Sequence, residues 1–240
     1  MRGVAAAIGL VAVAACSGDK QSNATTDTVV SVDSTKSNGE VSPPRSAAPR
    51  RAILFAGTSL TAGLGLEPDS AYPMLIQRKI DSAGLPFEVT NAGVSGETSA
   101  GFLDRLDWLL RGQFDVLVVE TGANDGLRGI PVETVRRNLT AAIDRIKAKR
   151  PSARLVLIQM EALPNLGPRY SSEFHAVYPS IAKEKNVELL PFLLQDVAGH
   201  RELNQGDGIH PNYRGERMVA DNVWRGLRPV LESVATQAQR

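Results

Sequence analysis

Apolar segments that alternate with amphipathic ones constrain the fold of this 240-residue chain more than any other feature of its sequence. Five apolar segments have the length of strands: RAILFAG (51–57), FEVTNAG (87–93), FDVLVVETG (114–122), ARLVLIQM (153–160) and VELLPFLLQ (187–195). As a set they are continuous apolar runs rather than alternating ones, which indicates strands that are covered on both faces. Such strands are typical of a parallel sheet, although the fifth segment could also be an extended stretch outside it.

Amphipathic segments with helical spacing lie between these strands and after the last one. They are residues 69–84, 98–112, 131–151, 171–186 and 212–234, and Thr98 is a suitable cap for the second. Pro179 lies inside the fourth segment and weakens the prediction that this helix is continuous. The alternation predicts an α/β fold, a three-layer α/β/α sandwich with a five-stranded parallel sheet and right-handed crossovers.

The first residues, MRGVAAAIGLVAVAAC, combine one arginine with a run of small apolar residues and then Cys16. This pattern is typical of a secretory signal and is short for a membrane-spanning helix. The stretch VAAC resembles a bacterial lipobox, which implies a lipoprotein signal peptide over residues 1–15 and lipidation of Cys16. A plain signal peptide or an uncleaved anchor remains the alternative. We therefore expect an exported protein that is lipid-anchored to a membrane of the bacterial cell envelope and faces the periplasm or the outside.

Cys16 is the only cysteine of the chain, so it can form neither an internal disulfide nor a cysteine metal cluster. Residues 16–50 are rich in small polar residues and poor in large apolar ones, so we expect a flexible tether there. The remaining residues, 51–240, suit one domain. A formal net charge of +1 gives no broad electrostatic case for binding nucleic acid. The sequence does not specify an oligomeric state, and we take a monomer as the default.

Four polar loops that contain glycine lie at one predicted edge of the sheet, where sites form in folds of this class. GTSLTAG with Ser59 follows the first strand, NAGVSGETSAG with Gly96 follows the second, and TGANDGLRG with Asn124 follows the third. QGDGIHPN, with Asp207 and His210, precedes the last helix. We expect these four loops to meet at one site.

The residue types in these loops are those that acyl transfer needs. A serine hydroxyl is a weak nucleophile, so Ser59 needs a base such as His210, and that base needs an orienting carboxylate such as Asp207. The backbone N–H groups of Ser59 and Gly96 and the side-chain amide of Asn124 could bind the oxyanion. The alternatives are ordinary ones, since Ser59 could be a turn serine and Asp207 could cap the last helix.

These four blocks, in this order, resemble those of the SGNH hydrolase superfamily, also called the GDSL esterases and lipases. The segments SGETS, GANDGLRG, YPSIAKE and DGIHPN are most similar to its branch of bacterial periplasmic multifunctional esterases, the thioesterase I/protease I/lysophospholipase L1 (arylesterase) branch. The resemblance covers residues 52 to 235. It implies a flavodoxin-like fold, a triad of Ser59, Asp207 and His210, and an oxyanion hole of Ser59 N–H, Gly96 N–H and Asn124. It implies no metal and no cofactor.

One position departs from the family pattern, because Thr58 precedes the nucleophile where the family has Asp. The triad carboxylate comes from the last block, so we expect the chemistry to survive. A threonine can hydrogen-bond locally but carries no charge, so we expect a change in the support of this loop. Two further acids near the site, Glu120 and Asp125, are interpreted as structural, and Arg128 is left open between substrate contact and local pairing.

The expected function is hydrolysis of carboxylic esters through an acyl-enzyme on Ser59, with short or medium acyl esters, aryl esters, lysophospholipids or acyl-thioesters as substrates. Because the resembling superfamily also removes acetyl groups from sugars, a glycan O-acetylesterase is an alternative. A catalytically inactive surface lipoprotein that only binds ligands is the alternative from another class of protein. The intact set of Ser59, Asn124, Asp207 and His210 argues against it.

Overall fold

The computed structural model describes residues 50–237, so the predicted signal peptide, Cys16 and nearly all of the predicted tether lie outside it. The strands of the described part are β1 (Arg51–Gly57), β2 (Phe87–Gly93), β3 (Val116–Val119), β4 (Arg154–Ile158) and β5 (Glu188–Leu190). Its α-helices are α1 (Ser59–Ala62), α2 (Tyr72–Ser82), α3 (Ser99–Leu109), α4 (Ala123–Leu127), α5 (Val132–Lys149), α6 (Pro168–Lys185) and α7 (Tyr213–Gln237). Short 3-10 turns occupy Pro68–Ser70, Pro164–Leu166 and Arg201–Leu203.

The strands form one parallel sheet in the order β2-β1-β3-β4-β5. β1 pairs with β2 up to Gly57 and Gly93, and with β3 up to Ala56 and Val119. The three carboxyl ends are therefore level, and the segments that follow them start side by side. The predicted α/β fold with a five-stranded parallel sheet is confirmed.

Helices cover both faces of this sheet. α2 packs against α7 in one layer, while α5 packs between α3 and α6 in the other. The central strands β1, β3 and β4 are almost completely buried between the two layers. The three-layer arrangement follows from the strand order, because a right-handed crossover from β1 to β2 and one from β2 to β3 must use opposite faces.

The helix signals in the sequence were accurate at most boundaries. Thr98 caps α3 as predicted, and its hydroxyl accepts a hydrogen bond from the N–H of Gly101. α6 is continuous through Pro179, the residue that weakens the prediction of a continuous helix. A proline cannot donate to the carbonyl four residues earlier, and here that carbonyl, on His175, accepts a hydrogen bond from the Gln159 amide instead. Within residues 50–237, no helix combines the length and the apolar character needed to cross a bilayer.

Two predicted loops contain short helices that the sequence did not reveal. α1 begins at Ser59 itself, and α4 contains both Asn124 and Asp125. Each consists of about one helical turn directly after a buried strand, which is too short for an apolar period to be visible. Both turns shape the edge of the sheet where the candidate residues lie.

Candidate active site

Ser59 lies at the carboxyl end of β1, where the chain turns sharply into α1. It is 8% exposed. Gly57 permits this turn, because a Cβ at that position would lie 2.0 Å from the Thr61 hydroxyl oxygen and 2.7 Å from a carboxyl oxygen of Glu120. Thr58 caps α1, and its carbonyl accepts a hydrogen bond from the N–H of Ala62 at 2.9 Å. The serine is thus fixed at the first residue of a tightly packed turn.

His210 contacts both Ser59 and Asp207. The distance from its Nε2 to Ser59 Oγ is 2.8 Å, and the distance from its Nδ1 to Asp207 Oδ2 is 2.6 Å. An ionised carboxylate only accepts hydrogen bonds, so Nδ1 carries the proton. Nε2 of the neutral ring can therefore accept a hydrogen bond from the Ser59 hydroxyl. The fold thereby unites residues 151 positions apart in the chain.

Asp207 is held by its own loop. Its Oδ1 accepts hydrogen bonds from the N–H groups of Ile209 and His210 at 2.9 and 3.0 Å. The hydrogen bond from His210 and these two N–H groups lower the pKa of Asp207 to about 2, so it is a carboxylate at neutral pH. The alternative role as a helix cap is wrong, since Asn212 accepts the N–H groups of Arg214 and Gly215 at the start of α7.

The three candidate oxyanion donors lie on the loops after β1, β2 and β3. Among the hydrogen bonds of residues 50–237, none uses the N–H of Ser59 or of Gly96 as donor. Gly96 has a φ of +79°, a conformation that L side chains rarely adopt. The Asn124 amide donates one hydrogen to the carbonyl of Glu97 at 2.9 Å, which leaves its second hydrogen available.

Asp125 fixes the loop after β2 to the loop after β3. It is buried, and it accepts hydrogen bonds from the N–H and the hydroxyl of Ser99 at 2.7 and 2.6 Å. Its interpretation as a residue that holds the loop agrees with this geometry. The sequence leaves the role of Arg128 open between substrate contact and local pairing. In the structure Arg128 donates to the carbonyl of Gly96 at 3.0 Å, so it has a local partner.

Glu120 is the residue whose contacts sequence reasoning missed. It is 1% exposed, and its carboxyl group accepts hydrogen bonds from the Thr58 N–H at 2.7 Å and from the hydroxyls of Thr58 and Thr61 at 3.0 and 2.9 Å. Burial raises the pKa of Glu120 in spite of these bonds, which act in the opposite direction. Its place at the end of an otherwise apolar strand, FDVLVVE, marks it in the sequence as an acid near the site, but this signal does not reveal its partners.

No group of three His, Cys, Asp or Glu side chains within the described residues is arranged to hold a metal ion. The groups that meet at this edge of the sheet are the Ser59 hydroxyl, the His210 imidazole, the Asp207 carboxylate and the three candidate hydrogen-bond donors. This set can carry out nucleophilic acyl transfer without a further group.

Comparisons with known proteins show what the chain is similar to. The model of the GDSL-like lipase/acylhydrolase family matches residues 55–218. An esterase of Pseudomonas aeruginosa, TesA, is 38% identical over 180 residues, covering 75% of this chain and 89% of the esterase. Thioesterase 1/protease 1/lysophospholipase L1 of Escherichia coli K12 is 37% identical over 180 residues, covering 75% of this chain and 84% of that enzyme.

A solved structure gives the same result for the fold. The psychrotrophic esterase EstA of a Pseudoalteromonas species, in a crystal structure inhibited by monoethylphosphonate, superposes with a TM-score of 0.72. It is 36% identical to this chain, and the match covers 76% of this chain and 99% of EstA.

Proposed function

The chain is a carboxylic ester hydrolase of the GDSL-like lipase/acylhydrolase family, and we propose that Ser59, His210 and Asp207 carry its chemistry. One observation supports the assignment above all others. The Ser59 hydroxyl, the His210 ring and the Asp207 carboxylate form a continuous hydrogen-bonded series, with distances of 2.8 and 2.6 Å. This is the arrangement in which a base activates a serine and a carboxylate orients the base.

In the first half of the reaction, Ser59 Oγ forms a bond to the carbonyl carbon of the ester. His210 Nε2 takes the hydroxyl proton, and Asp207 accepts from Nδ1–H and stabilises the imidazolium that results. The carbonyl oxygen gains the negative charge and receives hydrogen bonds from Ser59 N–H, Gly96 N–H and the free hydrogen of the Asn124 amide. The bond to the leaving group then breaks, and His210 donates its proton to the alcohol or thiol.

In the second half, water replaces the leaving group. His210 Nε2 takes a proton from this water as its oxygen attacks the acyl carbon, and the same donors hold the oxyanion. The bond to Ser59 Oγ breaks, the serine recovers its proton from His210, and the carboxylic acid leaves. Each group is used twice, so each half requires the same geometry.

We propose that the substrates are acyl esters with short or medium chains, including lysophospholipids, aryl esters and acyl-thioesters. The distribution of exposed apolar side chains supports this. Within residues 50–237, most of the large apolar side chains that are exposed lie at the same edge of the sheet as Ser59. They are Leu64, Val94, Leu127, Leu163, Leu166 and Tyr213. Apolar surface around a polar reaction centre suits a substrate with an acyl chain. Relatives named as an esterase and as a lysophospholipase agree with it.

The test is the hydrolysis of p-nitrophenyl esters, from acetate to palmitate, by the full chain and by Ser59→Ala. We expect activity from the parent protein and a loss of roughly 10³-fold or more in Ser59→Ala, because the nucleophile is gone. A maximum at acetate, together with release of acetate from acetylated glycans, would favour the glycan O-acetylesterase instead. Activity in Ser59→Ala equal to that of the parent would contradict the assignment of the nucleophile.

A fluorophosphonate probe gives an independent readout, because it bonds covalently to an activated serine. We expect labelling of Ser59 and none in Ser59→Ala. Ser95→Ala is the matched control, since Ser95 is exposed in the neighbouring loop after β2 and should label and hydrolyse like the parent. Absence of both hydrolysis and labelling in the parent protein would favour the binding-only alternative.

We also propose that the protein is exported and anchored through Cys16, on the basis of the resemblance of VAAC to a lipobox. Growth with labelled palmitate should yield a labelled protein in the membrane fraction, whereas Cys16→Ser should give an unlabelled protein. Cleavage in Cys16→Ser at the same rate as in the parent, without labelling of either, would indicate a plain signal peptide.

A further inference from the structure

The Glu120 carboxyl group lies beneath the nucleophile and has no role in the reaction steps described above. It follows β3, and its own N–H continues the pairing with β1 by donating to the carbonyl of Ala56 at 2.9 Å. Its side chain reaches across to the next strand and accepts hydrogen bonds from Thr58 and Thr61. Within residues 50–237, every donor to this buried acid therefore comes from the turn that contains Ser59.

The contacts of Glu120 extend into the core. The Thr61 hydroxyl donates to Glu120 and lies 2.9 Å from the Tyr72 hydroxyl, which is placed to donate to it. Tyr72 is itself buried in the first turn of α2. A buried carboxyl group is costly unless its hydrogen bonds are satisfied. Any movement of the turn 58–61 would break these bonds inside the core, so the network resists that movement.

The network controls the direction of one particular N–H group. Thr58 is held at both of its backbone groups, since its N–H donates to Glu120 and its carbonyl accepts from Ala62. In a planar trans peptide, the N–H of Ser59 is antiparallel to the Thr58 carbonyl, so it points out of the turn and away from α1. This N–H is one of the three donors proposed for the oxyanion.

We propose that Glu120 is a positioning residue, which acts through Thr58 to hold the Ser59 N–H and hydroxyl in the geometry of the reaction. It does so without contact with the substrate, from the buried side of the turn. The proposal rests on the catalytic role proposed for Ser59.

Thr58 has the chemistry that this role requires. Its hydroxyl lies 3.0 Å from both carboxyl oxygens of Glu120, so it serves as a donor to them. An aspartate at this position would bring a second carboxyl group against the first, and two adjacent carboxylates disfavour ionisation of one another. Thr58 instead presents a neutral donor to the acid that reaches this turn from the end of β3.

The main test is Glu120→Gln in the full chain, which keeps the size of the side chain and replaces one acceptor oxygen with a donor. The Thr58 and Thr61 donors then compete with an amide hydrogen, and the turn loses its defined position. We expect kcat for p-nitrophenyl butyrate to fall roughly 10- to 100-fold, somewhat less than the loss of an oxyanion donor, with KM within about twofold. Acylation and deacylation should slow together, because both use the same N–H.

Fluorophosphonate labelling separates position from folding. The final extent of labelling counts the folded sites, and the rate constant of labelling reports the geometry of each site. For Glu120→Gln we expect a nearly complete extent with a rate constant reduced in parallel with kcat. A reduced extent with an unchanged rate constant would mean that Glu120 only stabilises the fold, and would overturn the proposal.

Thr58 provides the second variant, in case Glu120→Gln does not fold. Thr58→Val has the same shape and lacks the hydroxyl, so it should also lower kcat, whereas Thr58→Ser should restore most of the parent rate. The double variant Thr58→Val with Glu120→Gln should be less impaired than the product of the single effects, because both act through one contact. Strict multiplication of the two effects would contradict this shared role.

Glu216→Gln is the matched control. Glu216 is also a buried acid, but its described hydrogen bond is to the N–H of Tyr72 and not to the nucleophile turn. We expect its kcat and its labelling rate to match the parent protein. An equal loss of kcat in Glu120→Gln and Glu216→Gln would overturn the proposal. Activity retained in Ser59→Ala is a different result, and it would refute the proposed nucleophile.

Discussion

The two loops that form the proposed triad are stabilised in opposite ways. The loop after β1, with Ser59, is buried and depends on distant partners, since Thr58 binds Glu120 across 62 positions of the chain. The loop before α7, with Asp207 and His210, is largely exposed and is held mainly by hydrogen bonds among its own residues, with one from the Gln205 side chain to the carbonyl of Leu64. Within it, the N–H of Gln205 donates to the carbonyl of His210 at 2.7 Å, and that of Gly208 to the carbonyl of Gln205 at 3.0 Å.

Two carboxyl groups, one within the exposed loop and one that contacts the buried loop, show the effect of this difference in burial. Asp207 and Glu120 each accept hydrogen bonds from a side chain and from backbone N–H groups, yet the pKa of Asp207 is lowered to about 2 and that of Glu120 is raised. Solvent reaches Asp207, so its hydrogen bonds decide its pKa, whereas desolvation outweighs the hydrogen bonds of Glu120. The exposed loop can thus stabilise the charge that forms on His210, while the buried loop provides a fixed position.

The largest effect should come from Asp207→Asn, which tests whether the exposed loop serves the chemistry rather than the fold. The asparagine Oδ1 can still accept the N–H groups of Ile209 and His210. Its amide no longer accepts from Nδ1–H, so the wrong tautomer of His210 is favoured, and we expect kcat to fall about 10³- to 10⁴-fold. The melting temperature should fall by only a few degrees, because the asparagine keeps both backbone N–H bonds and solvent screens the charge that is lost.

Steady-state kinetics and calorimetry on the same preparation measure both quantities. A fall of many degrees in Asp207→Asn would break the comparison, because it would mean that the exposed loop also depends on this carboxylate for its folding.

The second prediction concerns a glycine in each loop. In Gly57→Ala the new Cβ would meet Thr61 at 2.0 Å and Glu120 at 2.7 Å, so we expect the free energy of unfolding to fall by about 3 kcal/mol or more. Gly206→Ala is the matched change in the other loop, where a Cβ meets no atom within 4 Å. It should change the unfolding free energy by less than about 1 kcal/mol. Urea titration of both variants is the measurement, and similar losses in the two would contradict a difference in packing between the loops.

This difference also explains what could be predicted from the sequence. Asp207 and His210 are three residues apart, so a local turn suffices to bring them together, and their pairing could be expected from spacing. The strands 51–57 and 87–93 were predicted at their observed boundaries, because apolar runs that end in glycine are strong signals. The contact of Glu120 with Thr58 could not be predicted in this way, since it depends on the register between β1 and β3 and on a side chain that crosses between strands.

A second buried acid, Glu216 on α7, tests whether burial decides the pKa of an acid in this core. Burial raises the pKa of Glu216 on α7 to about 8, against an ordinary value of 4.5. The folded state therefore keeps a proton that the unfolded state releases, and the stability of the protein falls as the pH rises from about 4.5 to about 8. In Glu216→Gln no group titrates at this position, in either the folded or the unfolded state.

The free energy of unfolding of the parent, relative to Glu216→Gln, should thus decrease by up to about 1.4 kcal/mol per pH unit between pH 5 and 8. Denaturant titrations of both proteins at four or five pH values give this difference, in which the other titrating groups cancel. A constant difference over this range would show that Glu216 is ionised in the folded protein. Burial would then not raise the pKa of Glu216 as it raises that of Glu120.

The smallest effect should come from Tyr72→Phe, which tests whether the buried loop needs the outer end of its network. The ring keeps its edge-on contact with Phe55, while the Thr61 oxygen loses the hydroxyl at 2.9 Å. One buried hydrogen bond contributes about 1 kcal/mol, so we expect a loss of that size in unfolding free energy. Thr61 can still donate to Glu120, so kcat should change by less than about twofold. A tenfold loss of kcat at an unchanged melting temperature would mean that α2 adjusts the position of Ser59 through this hydroxyl, and the controlling contacts would then extend one element beyond Glu120.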